Sequence, residues 1–275
     1  MDAWLIEIHI ISLALLAVLI GLASSMLGIG GGIFIVPILT LIFNLDIHQS
    51  VGTSLFSIIF MAISSSFEYA RQRRVDYLPC IILSAGAIFG GVSGAYATRF
   101  VESEKMSAIF GAVLILIAIR FLKAGKEEGK VSTRSPNSRG WRRVLVDSKG
   151  DRFEYTVNTR LGVLFSLLAG FVSGFLGLGG GVVMVPVLRL VVGMPMHLAV
   201  SSSVFIMILT SISGSFIHKN LGNVRLEYGL PVALGVILGA QVGARLARKT
   251  PGKWLQAMFG LLLLSLGARM IFTMF

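Results

Sequence analysis

No aspartate, glutamate, lysine or arginine occurs in residues 8–45, 47–67, 77–98, 161–188 or 190–218. A bilayer core is crossed by roughly 20 apolar residues in a helix, and most of these runs reach or exceed that length. Amphipathic helices of a soluble bundle need a polar face at a 3.6-residue period, and the runs have none. Charged residues make up 13% of the chain, against about 25% in soluble domains. The class that fits is an all-α polytopic membrane protein, with the lipid bilayer as its first partner.

The charges that remain lie mostly in loops flanking the apolar segments. The formal net charge of +11 therefore reads as a topology signal rather than a nucleic-acid footprint, because basic loops mark the cytoplasmic side. Asp2 and Glu7 stand where a cleavable signal peptide needs a basic start, so none is expected. Cys80 is the single cysteine, which excludes internal disulfides and a cysteine-built metal cluster. No cofactor is expected.

The chain repeats itself. "MLGIGGGIFIVP" at 26–37 recurs as "FLGLGGGVVMVP" at 175–186, at an offset of 149 residues. At that offset, residues 21–54 and 170–203 share 14 of 34 positions, among them Pro37/Pro186, His48/His197 and Ser54/Ser203. Gly86, Gly90 and Gly94 align with Gly235, Gly239 and Gly243. The division expected is a first transmembrane repeat over 1–123, a cytoplasmic linker over 124–160, and a second repeat over 161–275. Each repeat holds five apolar segments, near 8–27, 33–44, 48–68, 77–98 and 104–122, then 161–176, 182–193, 197–217, 227–247 and 251–273. The second of each five is too short to span, so segments one and two form a glycine-broken helical hairpin.

Charge then sets orientation. The basic cluster "RQRR" (71–74) falls between segments three and four of the first repeat, whereas "RLARKTPGK" (245–253) falls between four and five of the second. The repeats are thus inverted, as an odd segment number requires. Residues 123–160 carry ten basic and five acidic residues, which places the linker in the cytoplasm and both termini outside. Within it, two β-prone runs flank "DSKGD", a turn signal, and predict a small cytoplasmic β-hairpin.

Inverted repeats suit alternating access, and broken segments at matching positions mark the binding site. Irregular backbone is tolerated in a membrane only where it lines a cavity or packs on protein. Gly28, Gly30, Gly31 and Gly32, with Gly177, Gly179, Gly180 and Gly181, are therefore candidate substrate-binding residues. Glycine admits a ligand close to the backbone, and the free N–H groups of a following helix favour an anion. Tight turns and close packing are the alternative use of the same glycines. A dinucleotide loop is excluded, because no strand precedes the glycines and no acid follows at the required spacing.

Helices beginning near Asp46 and Pro195 carry the remaining candidates. Asp46 is an N-cap, with Gln49 completing a capping box. His48 and His197 suit proton relay or substrate hydrogen bonding, or an interfacial location. Thr53, Ser54, Ser202 and Ser203 offer hydroxyls to an oxyanion, or to backbone carbonyls of neighbouring helices. The stripes at Gly86–Gly94 and Gly235–Gly243 read as helix-packing surfaces. Arg120 and Arg269 read as interfacial arginines. "GMPMH" (193–197) has soft ligands for copper, but the first repeat has "NLDIH" there, so no metal site is assigned.

The doubled GxGGGxxxVP motif (Gly28–Pro37, Gly177–Pro186), the downstream HxxVGTS and HxxVSSS stretches (48–54, 197–203) and the glycine-striped fourth segments together resemble the TauE/SafE family of membrane transporters, often called sulfite exporters. The resemblance covers nearly all of the chain outside the linker. Ser201 stands where the first copy has Gly52. The resemblance implies a secondary transporter of a small sulfur-containing anion, such as sulfite or an organosulfonate, with protons or other ions as coupling partners. A non-transporting assembly factor or scaffold, a soft-metal transporter and an integral membrane enzyme are the alternatives. The spans hold no nucleophile–base pair or multi-histidine motif, which disfavours the enzyme.

Overall fold

The computed structural model describes residues 3–124 and 141–247, together with positions 264, 265 and 268. Its described elements are α1 (Ala3–Leu27), α2 (Gly32–Leu41), α3 (Ile47–Arg71), α4 (Tyr77–Ala97), α5 (Ser103–Ala124), β1 (Trp141–Val146), β2 (Arg152–Val157), α6 (Thr159–Leu176), α7 (Gly181–Pro186), α8 (Met196–Asn220) and α9 (Leu226–Leu246). A 3₁₀ turn (Thr98–Phe100) follows α4, and a π turn (Val187–Val191) continues α7. The apolar segment predicted at 251–273, Arg269 within it and most of the basic run 245–253 lie outside the described residues.

Among the described residues, five helices are long and apolar enough to cross a membrane: α3, α4 with its 3₁₀ turn, α6, α8 and α9. The distribution of side chains fits lipid as solvent. Leu19, Phe89, Leu234 and Leu238 point outward at 64–73% exposure, while Ser24, Ser54, Ser57, Ser173, Ser203 and Thr210 are buried. Hydroxyls inside and large aliphatics outside invert the soluble pattern, because helices in lipid associate by close packing and hydrogen bonding.

The repeat is present in the backbone at the same offset of 149. Helices α3 and α8 share their bounds at this offset, as do α4 and α9. So do four positive-φ positions: Gly28/Gly177, Gly30/Gly179, Asn44/Gly193 and Arg73/Gly222. The last two pairs differ in residue type yet hold one conformation.

Contacts give the sense of each helix. Along α1 and α9 they climb together, from Gly235 against Ala14 to Gly243 against Leu22. Along α4 and α6 they run from Gly86 against Val163 to Gly94 against Phe171. Helices α3 and α9 are also parallel, with Ser57 Oγ donating to Gly229 O and Ser64 Oγ to Ile237 O. Helices α4 and α8 are parallel too: Cys80 lies beside Ser202, and Gly91 beside Thr210. By contrast, α3 opposes α8, since Gly52 meets His218 while Gly214 meets Leu55. Helices α1, α3 and α9 thus run one way, and α4, α6 and α8 the other. Corresponding helices of the two repeats run in opposite senses.

The glycine stripes are packing surfaces. A methyl group at Gly90, Gly94, Gly239 or Gly243 would overlap a backbone carbonyl of the partner helix. Only glycine lets these parallel pairs close to backbone contact.

Helix α1 ends beside the C-terminal end of α3, where Tyr69 Oη donates to Ser25 O at 2.7 Å. Since α1 and α3 are parallel, residues 28–46 must return the chain to the opposite end. Segments one and two are therefore a hairpin, and the same holds for α6, α7 and α8.

Strands β1 and β2 pair antiparallel, from Trp141 with Val157 to Val146 with Arg152. This β-hairpin packs on the α3–α4 loop. Arg74 donates to the buried Asp147 (Nη2 2.9 Å, Nε 3.1 Å), and Arg143 grips Asp76 with two nitrogens (2.6 and 3.0 Å). Ser148 N–H donates to Gln72 O, and Tyr155 Oη to Asp76. Gln72 and Glu68 in turn meet Ala244 O and Arg245. The loop 71–74, the hairpin and the end of α9 share one end of the molecule.

Candidate functional site

Ser54 lies about 10 Å, two turns, into α3, and Ser203 equally far into α8. Because α3 and α8 are antiparallel, these positions are offset toward opposite ends of the bundle. Each serine holds the glycine loop of the other repeat: Ser54 Oγ donates to Gly177 O at 2.8 Å, and Ser203 Oγ to Gly28 O at 2.9 Å. From these anchors the loops converge and cross midway.

At the crossing, backbone meets backbone. A methyl group on Gly30 would lie 2.5 Å from Leu178 O. One on Gly32 would overlap Gly177 O and lie 2.7 Å from Leu178 Cα, and one on Gly181 would overlap Gly28 O and lie 2.7 Å from Ile29 C. Gly28 and Gly177 combine two demands. Each holds a left-handed φ (+66° and +71°), and each rests on the opposite repeat's helix, at Val200 and Val51. A non-glycine residue there meets both the conformational cost of that region and an occupied space.

The two loops part company at Gly31 and Gly180. Gly31 is right-handed (φ −73°), and its Cβ direction is closed by Ile35, Ile20 and Met61. Gly180 is left-handed (φ +89°) and faces Ser173 and Thr210 at 3.4–3.6 Å.

The structure brings together Gly28, Gly30, Gly32, Gly177, Gly179, Gly181, Ser54 and Ser203. Thr53 is engaged elsewhere: its Oγ1 accepts the N–H of Arg225 at 3.0 Å. The matching Ser202 is fully buried, and its hydroxyl is unpartnered among the described residues.

The histidines sit toward the two ends. His48 Nε2 faces the carbonyls of Thr98 (3.1 Å) and Val101 (2.9 Å), and Nδ1 faces Asp46 and Ser103 (both 3.1 Å). It ties the start of α3 to the α4–α5 turn and, with Gln49, Arg99 and Asn223, lines an open pocket of about 350 Å³. Asp46 caps α3 through the N–H of His48 at 2.8 Å. Partial burial raises its pKa, but hydrogen bonds from Ser103 and His48 outweigh that and hold it below the ordinary value. His197 is exposed at the hairpin end, within the electrostatic reach of Arg74 and Asp147.

Two features escaped the sequence. Ser24 and Ser173, matched at the 149 offset, are both fully buried, and their hydroxyls have no partner among the described residues. A buried orphan hydroxyl costs about 1–3 kcal/mol, so each asks for a partner. The departure at Ser201 also has a consequence. Its hydroxyl donates to Arg74 O, in the loop that the β-hairpin grips. At Gly52 the absent side chain instead admits Asn223 O, 2.5 Å from where a Cβ would stand. Hydrogen bonding holds one end of the bundle where close packing holds the other.

Opposed helical repeats, a lipid-compatible surface and crossed glycine hairpins define a multi-pass membrane protein built like a transporter. The family model described as "Sulfite exporter TauE/SafE" matches residues 13–270, and the chain belongs to that family. It is similar to the probable membrane transporter protein YunE of Bacillus subtilis, 31% identical over 94% of this chain and 96% of the relative. It is also similar to the probable membrane transporter protein MJ0441 of Methanocaldococcus jannaschii, 29% identical over 94% of each. No solved structure matches.

Proposed function

We propose that the protein is a secondary transporter that moves a small sulfur-containing anion, sulfite or an organosulfonate, across the cytoplasmic membrane by alternating access. The observation that carries this reading is the crossed pair of glycine loops. They enter from opposite ends, and each is anchored by a serine of the other repeat. Such a pair has two equivalent ways to open, one toward each side, which is what an alternating-access site needs. The end that holds the β-hairpin and the 71–74 cluster faces the cytoplasm on this reading, because its loops are basic, and both termini lie outside. Protons or other ions supply the coupling.

The competing scaffold reading draws on the same glycines, since backbone overlap alone explains their identity. Sulfite efflux separates the two. Proteoliposomes of the purified protein, loaded with sulfite, are compared with protein-free liposomes, with sulfate, methanesulfonate and chloride run in parallel. Saturable efflux of sulfite or methanesulfonate above that of chloride is expected. Efflux equal to that of empty liposomes for every anion would sink the transport reading.

A further inference from the structure

Hydroxyls in apolar helices commonly satisfy themselves on a carbonyl three or four residues back. Ser57, Ser65, Ser84 and Ser166 do so here. Ser173, on the last turn of α6, does not. It is fully buried, and its Oγ has no partner among the described residues. Its side chain lies against the glycine loop of its own repeat: a methyl group on Gly180 would lie 3.4 Å from both Cβ and Oγ of Ser173 and 3.6 Å from Thr210 Oγ1. Those are ordinary van der Waals distances, so this flank of the loop is not closed by backbone as the crossing face is. Thr210 is itself buried, and its contacts with Gly179 O, Ile206 O and Met207 O are long, at 3.2–3.4 Å. Its hydroxyl is available to turn toward a better acceptor.

The first repeat lacks this arrangement. Ser24 is equally buried and has no partner among the described residues, but Met61 occupies the position equivalent to Thr210, and Ile20 and Ile35 close the space beside Gly31. Among the described residues, two hydroxyls in van der Waals contact with the loop glycine's free face occur in the second repeat and not in the first.

We propose that Ser173 and Thr210, beside Gly180, form the hydrogen-bonding subsite for the transported anion, a small oxyanion. The inference rests on the transport reading above and deepens it. A fully ionised oxyanion presents acceptors only, and serine and threonine hydroxyls are donors that can meet it. No lysine or arginine lies within residues 161–188 or 190–218, the stretches that carry Ser173, Gly180 and Thr210, so what these residues offer the anion is hydroxyl dipoles.

The test uses the full chain in proteoliposomes, with sulfite as the probe and half-saturating concentration as the readout, beside unliganded melting temperature in detergent. Ser173→Ala and Thr210→Val are each expected to raise half-saturation about tenfold, the scale of one hydrogen bond to a charged group. Ser24→Ala is expected to stay within about twofold. Ser173→Ala is further expected to melt no lower than wild type without sulfite, because it removes an unpartnered buried hydroxyl. If wild type carries sulfite and Ser173→Ala and Thr210→Val carry it with wild-type half-saturation, the subsite is overturned and the transport reading stands. A lower unliganded melting temperature for Ser173→Ala also overturns the subsite, since the hydroxyl then has a structural partner. If wild type carries no sulfite, the subsite falls together with the transport reading for that anion.

Discussion

Replacing Gly32 or Gly181 by alanine tests whether the crossing is packed as tightly as its geometry implies. Both glycines open helices with right-handed backbone, so alanine is conformationally welcome there and contributes up to about 1 kcal/mol of helix propensity. Packing acts against it. The new methyl would sit 2.7 Å from Leu178 Cα at Gly32, or 2.7 Å from Ile29 C at Gly181, with a carbonyl oxygen closer still. Carbon atoms meet comfortably at about 3.5–4.0 Å, so one backbone must move by roughly 1 Å. Overpacking costs about 1–3 kcal/mol, and the upper end applies because the obstacle is main chain. The net loss is about 2 kcal/mol, or about 4–8 °C in melting temperature on the scale of chains near this length. Gly214→Ala is the matched control. Its nearest neighbour is a Leu55 methyl at 3.1 Å, a side chain that can yield, so this variant should melt at or above wild type. The double Gly32→Ala, Gly181→Ala variant should lose less than the sum, since one shift of the two loops relieves both contacts. The measurement is thermal unfolding of detergent-solubilised protein at a fixed scan rate. Wild-type melting of Gly32→Ala and Gly181→Ala would refute the reasoning.

Three further outcomes follow from the ends of the bundle. Asp147→Ala strands the buried Arg74, at a cost of about 3–5 kcal/mol to hairpin docking; trypsin should then cut between residues 141 and 157, whereas Arg74→Met with Asp147→Leu should restore resistance. Gly52→Ser places a Cβ 2.5 Å from Asn223 O and should lower melting; Ser201→Gly removes a hydroxyl that meets Arg74 O, His197 O and Leu198 O and puts glycine inside α8, and should cost about 1–2 kcal/mol. Burial raises the Asp147 pKa, but the N–H of Lys149, the Arg74 guanidinium and the N–H of Asp151 together hold it below 3.8. A depressed folded pKa stabilises fully above the ordinary value and is lost as pH falls through the folded one. Protease resistance of the hairpin should therefore be flat from about pH 8 to about pH 5 and fall only below about pH 4; a loss near neutral pH would contradict this.

Features set by local sequence were legible in advance. "DSKGD" fixes a turn between two β-prone runs, and the hairpin forms there. Asp46 stands immediately before α3 as its N-cap, and Pro195 marks the matching start of α8. The repeat offset was readable because identical glycines, prolines and serines recur. Where residue type differs the backbone still corresponds, as at Asn44/Gly193 and Arg73/Gly222, and identity matching cannot see that. Partners were the illegible part. That Ser54 holds Gly177 and Ser203 holds Gly28 depends on helices brought together across more than 100 residues. The same applies to His48, whose ring is engaged by the α4–α5 turn, and to Ser201, whose role appears only once Arg74 lies beside it. Pro186 closes α7, and a π turn follows it directly. Pro37, at the equivalent place, sits inside a regular helix, and nothing in the structure explains that difference.

The opposed opening of the two glycine loops is open to one direct measurement. Cys80 is the single native cysteine, so Cys80→Ser gives a thiol-free background for Ser54→Cys or Ser203→Cys. Each variant is reconstituted and treated with a membrane-impermeant thiol reagent from one side at a time, with and without a sulfite gradient. Opposed half-sites predict that Ser203→Cys reacts only from the side of the β-hairpin and Ser54→Cys only from the other, with the gradient raising one and lowering the other. Reaction of both positions from the same side, or of neither under any gradient, would contradict alternating access at the crossed loops.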